Sequence, residues 1–124
     1  MIGDPLLRVS ILFSIGIVAC ASQPRISGHT EADARLSNDI VNLVTPYGKA
    51  KLNCPTVDTI SPGQVPADFV APPIAGPPRY GETRYELWRT AGCKRSAVFL
   101  IQIWKDPGGG SFYAVSPYPA PNRR

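Results

Sequence analysis

The sequence has one histidine, His29, one methionine and three cysteines among its 124 residues. A Ser or Cys nucleophile is ordinarily activated by a neighbouring histidine. Here the single histidine stands in a polar stretch between Pro24 and Thr30, so that chemistry has no natural seat. The cysteines, Cys20, Cys54 and Cys93, form no short-spaced pair, which excludes the common zinc spacings. Gly108-Gly109-Gly110 lacks the Lys-Ser/Thr and following helix of a phosphate loop. Long apolar runs are missing too. Val9 to Ala19 is uncharged, but as a helix it would span only about 17 Å, against a hydrocarbon core of about 30 Å. With 44% hydrophobic and 18% charged residues and a mean hydropathy of −0.05, the chain is neither collagenous, nor mainly disordered, nor a multi-span membrane protein.

Proline is abundant instead: 14 residues, roughly twice the usual share. Lysine and arginine total 13 against 9 acidic residues, a net charge of +4. That excess permits an acidic partner without requiring one.

The run from Val9 to Ala19 has the length of the apolar core of a secretory signal and ends in Ile17-Val18-Ala19-Cys20. These four residues resemble the lipobox of bacterial lipoproteins, in which an aliphatic residue and two small or medium ones precede an obligatory cysteine. The resemblance implies that residues 1–19 are a signal peptide, that cleavage falls before Cys20, and that its thiol carries a diacylglycerol. The new amino group is usually acylated as well, and two or more acyl chains hold a protein stably on a membrane. The chain departs from the family in having Ile17 where leucine is usual, Asp4 and Pro5 in the head, and Arg8 as the only base there. Ala19-Cys20-Ala21 also fits ordinary cleavage after Ala21, which would release a soluble secreted protein. A buried core helix is the third reading of the run. In enterobacterial lipoproteins an Asp after the cysteine retains the protein at the inner membrane. Ala21 stands there, so the resemblance implies the outer membrane, with the domain in the periplasm.

Assigning Cys20 to lipid leaves Cys54 and Cys93, the count for one disulfide in an oxidising compartment. Closing a loop of about 40 residues contributes roughly 4 kcal/mol in the chain-entropy model. Two buried free thiols are the alternative.

Residues 20–30 read as the lipidated cysteine and a flexible tether, broken by Pro24 and Gly28. Thr30 reads as a helix N-cap, with Glu31 and Asp33 suited to the first turn. Ala32, Leu36, Ile40 and Val44 recur at steps of four, which predicts an amphipathic helix over Glu31–Val44, stopped by Pro46. Lys49 to Cys54 alternates polar with apolar or small residues and predicts a short strand. Residues 55–80 form a proline-rich loop without helical or strand period, given docking points by Val65, Phe69, Val70 and Ile74. Beyond Gly81 the pattern is β. Tyr85, Leu87 and Arg89 alternate with Glu86, Trp88 and Thr90, and Ala91-Gly92 turns the chain into Cys93. Ala97 to Trp104 is apolar on both faces apart from Gln102, the mark of a covered strand. Asp106 to Gly110 is a hairpin loop, and Ser111 to Val115 returns beside it. Residues 117–124 read as an extended tail. The expected fold is α+β: an N-terminal amphipathic helix on a small antiparallel sheet that ends in a three-stranded meander, all within residues 31–116. Cys54-Pro55 and Gly92-Cys93 resemble segments of small uncharacterised lipoproteins of proteobacteria, a resemblance that conveys no activity.

No catalytic residue and no cofactor is expected. Glu82 and Glu86 flank Arg84, an arrangement that cross-strand ion pairing explains, and no metal site is expected. Arg79-Tyr80, Arg84-Tyr85 and Trp88-Arg89 interleave cations with rings as a single-strand nucleic-acid binder would. Export and the modest charge argue against that partner. Arg and aromatic residues are also enriched at protein interfaces, so Tyr80, Arg84, Trp88 and Arg89 are the candidate interface, with a core role for Trp88 as the alternative. The expected function is a membrane-anchored structural or binding module, an accessory to an envelope assembly with an unidentified envelope protein as partner. A soluble periplasmic binder stands second and a small enzyme third.

Overall fold

The apolar steps of four do not end at Val44. They continue through Gly48 to Leu52, and Leu36, Ile40, Val44, Gly48 and Leu52 are all buried. The structure, a computed structural model, describes residues 23–73 and 81–119. In it this stripe lies along one helix, α1 (Ala34–Leu52), with Pro46 inside it. The stop at Pro46 and the strand over 49–54 are therefore both overturned. An interior proline loses one N–H bond and crowds the carbonyl one turn earlier. Pro46 sits on the exposed side of α1, where the helix can bend outward without disturbing the stripe. Burial of Leu52 and a well-closed terminus then hold the last turns. Asn53 adopts a left-handed φ of 51°, and Cys54 N donates to Lys49 O at 3.0 Å. This closure is of the Schellman type. At the other end the N-cap is Asp33 rather than Thr30: its Oδ1 accepts from Leu36 N at 2.8 Å.

α1 lies on one face of a five-stranded sheet, so the fold is α+β. The strands are β1 (Arg25–Ile26), β2 (Thr59–Gln64), β3 (Arg84–Gly92), β4 (Arg95–Lys105) and β5 (Ser111–Tyr118), in that spatial order. β1 is parallel to β2 and every other pair is antiparallel. The sheet is thus mixed and larger than the expected three-stranded meander, and the helix follows a strand instead of leading the domain.

Three segments were expected to be irregular and are paired. In the presumed tether, Arg25 N donates to Asp58 O at 2.9 Å and Ser27 N to Ile60 O at 3.0 Å. Inside the proline-rich passage, residues 59–64 pair with β3 although Pro62 and Gly63 break any alternation. At the presumed tail, Pro117 and Tyr118 lie opposite Phe99 and Val98. Proline is compatible with strands where one edge has no partner to supply. β5 is an edge, and β1 reaches only as far as Ile60 along β2.

The alternation read along β3 holds. Glu86, Trp88 and Thr90 face the helix and are buried, whereas Arg89 points outward and is exposed. Register carries Phe99, Ile101 and Ile103 of β4 onto the helix side beside them. These residues pack with Leu36, Ile40, Val44, Leu52, Val57 and Ile60 as one core. Gly48 lets the helix come close: a Cβ there would stand 3.1 Å from Val57 Cγ2 and 3.3 Å from the Thr90 side chain.

The β3–β4 turn is two residues later than expected. Gly92 still pairs with Arg95, and Cys93 and Lys94 form the turn with φ of 51° and 61°. Two left-handed residues in a two-residue hairpin match the twist of the flanking strands. Cys93 is joined there to Cys54, just past the helix, closing a sequence separation of 39.

A Cβ at Gly92 would stand 2.5 Å from Thr56 O, a backbone atom that the adjacent disulfide helps to fix. Gly92→Ala is therefore expected to cost about 1–3 kcal/mol, read as a lower urea midpoint. Gly109→Ala meets nothing within 4 Å; with its φ of 104° its cost is strain of about 1 kcal/mol. Equal midpoints for the wild type and Gly92→Ala would refute the close packing.

Candidate functional site

Glu86 is the buried acidic side chain of β3, 3% exposed. Its Oε1 accepts from Thr30 Oγ1 at 2.7 Å and from Trp88 Nε1 at 2.8 Å, and its Oε2 accepts from Glu31 N at 2.8 Å. Thr30 Oγ1 also accepts from Ala32 N at 3.0 Å. Glu86 thus makes no ion pair with Arg84: it fastens the chain entering α1 to the sheet. Arg84 reaches Glu31 instead, Nη1 to Oε2 at 3.9 Å, with both side chains about half exposed.

The expected interface residues do not form one patch. Trp88 is fully buried against the helix, which satisfies its apolar ring and, through Glu86, its N–H. Arg89 lies on the opposite face, where its Nη1 is 3.5 Å from Ser96 Oγ. Cys20 and Tyr80 lie outside the described residues, as do the signal segment and Ile74. Two of the set border clefts with aromatic character: Arg89 lines one of about 470 Å³ with Tyr118, and Arg84 lines another with Trp104. The Arg84 cleft, of about 320 Å³, is lined by Glu82, Arg84, Ile103, Trp104, Lys105 and Ser111. Trp104 stacks at a tilt with Phe112, centroids 5.9 Å apart, and Phe112 is 50% exposed. Sequence reasoning read Ala97–Trp104 and Ser111–Val115 as strands but missed that residues 104 and 112 oppose each other on the outer face. The signal was the register set by the hairpin loop between them.

The outer face of the sheet is partly roofed. Phe69, from the proline-rich passage, packs its ring against Tyr85 and Tyr118 at 5.4 and 6.2 Å. Leu100, between those two tyrosines in register, is 4% exposed. Phe69 is thus the docking point that the passage supplies, whereas Val70 is 84% exposed.

A second cleft, of about 400 Å³, separates the start of α1 from the β4–β5 loop and is lined by Asp33, Arg35, Asp39, Asp106 and Ser111. Its carboxylates have local work. Asp33 caps the helix, and Asp106 Oδ1 accepts from Gly108 N at 3.1 Å. Among the described residues, no three His, Cys, Asp or Glu side chains gather closely enough to hold a metal ion, and His29 contacts only Glu31, at 3.4 Å. At the end of the sheet where β3 starts and β4 stops, rings and cations share a corner. The chain matches no protein-family model, no curated protein and no solved structure.

Glu86→Gln keeps the shape but turns an amide donor toward groups that are themselves donors. It is expected to destabilise the fold by about 1–3 kcal/mol, and the fluorescence of Trp88 should respond to the lost partner. A urea midpoint within error of the wild type would mean that this network is dispensable.

Proposed function

We propose that this chain is an exported bacterial lipoprotein, anchored through lipid on Cys20, that presents a disulfide-bonded α+β binding module in the periplasm. The observation that carries the proposal is the use of the cysteines. Cys54 and Cys93 are paired with each other, which is the usual state in an oxidising compartment. Cys20 is left over, directly after an apolar run of signal length and at the end of a lipobox-like tetrapeptide. No helix among the described residues is long and apolar enough to cross a membrane. Acyl chains on Cys20 would give stable attachment without one.

The position of Ala21 favours the outer membrane, as the lipobox resemblance implies. The module acts by contact rather than by catalysis, as an accessory to an envelope assembly. Its binding residues are the Arg84–Trp104–Phe112 corner, which combines the residue types that dominate protein hot spots.

Intact mass of the protein purified from membranes tests the anchor. A chain beginning at Cys20 with added acyl mass, gaining about 2 Da on reduction as one disulfide requires, is the expected result. A chain beginning at Ser22 without lipid would make the module a soluble periplasmic protein, and an intact Met1 with three thiols would remove it from the envelope. The corner is tested separately with a photoreactive phenylalanine analogue at position 112 in the native envelope. A discrete protein adduct absent from the same probe at Tyr47 is expected; equal labelling from both sites would rule the corner out.

A further inference from the structure

The connection between Cys20 and the fold is short. β1 is hydrogen-bonded from Arg25 onward, so only residues 21–24 separate the cysteine from the sheet, a reach of at most about 17 Å when fully extended. The end of the domain nearest the anchor is therefore fixed by topology. Arg25 pairs with Thr59, Thr59 pairs with Ala91, and the chain before Arg25 leads toward the Cys93-Lys94 turn. α1 ends at the same place, where Arg95 Nη1 donates to Leu52 O at 3.0 Å and Cys54 is bonded to Cys93.

That end is basic. Arg25, Lys49, Lys51, Lys94 and Arg95 are exposed there, with Asp58 as the nearby acid. Among the described residues none of these five cations stands within ion-pair distance of a carboxylate; the Arg84–Glu31 pair lies at the other end. The far end has the opposite balance: Glu31, Asp33, Asp39, Glu82 and Asp106 against Arg35, Arg84 and Lys105. Lys49 and Lys51 suit a helix C-terminus, but Arg25 and Lys94 belong to other elements, so helix capping does not explain the cluster.

We infer that this end is a membrane-apposed face, and that its five cations engage the headgroups of anionic phospholipids once the chain is anchored. The inference rests on lipidation of Cys20. A tether of four residues keeps the basic end close to the bilayer, where the field of an anionic surface extends about 8–10 Å at ordinary ionic strength. The acidic end is repelled outward, so the domain stands with β1 and the disulfide toward the lipid and the Trp104–Phe112 corner toward the periplasm. Charge thus fixes an orientation that the tether alone would leave free.

The four lysines report on this directly, because Lys49, Lys51 and Lys94 belong to the basic end and Lys105 to the other. The full chain, purified from membranes, is added to preformed vesicles of phosphatidylcholine, or of phosphatidylcholine with roughly one third phosphatidylglycerol. A membrane-impermeant amine reagent is then applied, and labelling of each lysine is followed by peptide mass. The expected result is labelling of Lys49, Lys51 and Lys94 slowed at least about fivefold by phosphatidylglycerol, with Lys105 unchanged, and the difference lost near 1 M salt, where the Debye length is about 3 Å. Equal labelling in both vesicles, or equal slowing of Lys105, overturns the inference while the anchor stands. A chain that does not float with phosphatidylcholine vesicles overturns the anchor, and the oriented face falls with it.

Discussion

The buried carboxylate of Glu86 fixes where the helix begins. It gathers the hydroxyl of Thr30, the amide of Glu31 and the indole N–H of Trp88, three donors from two parts of the chain. A carboxylate out of water is tolerable only when its lone pairs are met, so the entering segment has to lie across this end of β3. The Cys54–Cys93 bridge does the same at the other end. With both ends of α1 referred to one strand, the stripe from Leu36 to Leu52 can only fall on the helix-facing row of the sheet.

That constraint also accounts for the prolines. A chain with 14 prolines builds a sheet only if those within it stand where an amide is not demanded. Pro117 is on the outer strand β5, Pro62 lies past the reach of β1, and Pro46 is on the exposed side of the helix. Prolines on edges also discourage further strand pairing. The proline-rich passage supplies a strand, then crosses to the outer face and seats Phe69 between Tyr85 and Tyr118. The outer face keeps the stacked pair of Trp104 and exposed Phe112 at a corner, beside Arg84 and Lys105.

Charge is distributed along the same axis that these restraints define. The end holding β1, the helix terminus and the disulfide is basic, and the end holding Glu86 and the β4–β5 loop is rich in carboxylates. A net charge of +4 says little about partners by itself; its separation into two ends gives the domain a direction. An attached lipid would make that direction a physical orientation, with the aromatic corner held away from the bilayer.

The local patterns were legible without coordinates. Alternation separated Glu86, Trp88 and Thr90 from Tyr85, Leu87 and Arg89, the apolar run marked β4, the glycines marked its hairpin, and the count of cysteines proposed the bridge. What failed was decided at long range. Pro46 is a stop signal by propensity alone and is overruled by burial of Leu52. Residues 25–26 and 59–64 have no strand period and become strands because each supplies the other's hydrogen bonds, with β3 behind them. Glu86 carried no sign of its partners, since Thr30 and Glu31 lie more than fifty residues away. Sequence determined the faces of each element, because side-chain periodicity is a local property of the backbone. Only the tertiary structure decided which edges pair, which carboxylate is buried and which cations share an end, because those depend on contacts between residues that the chain order keeps apart.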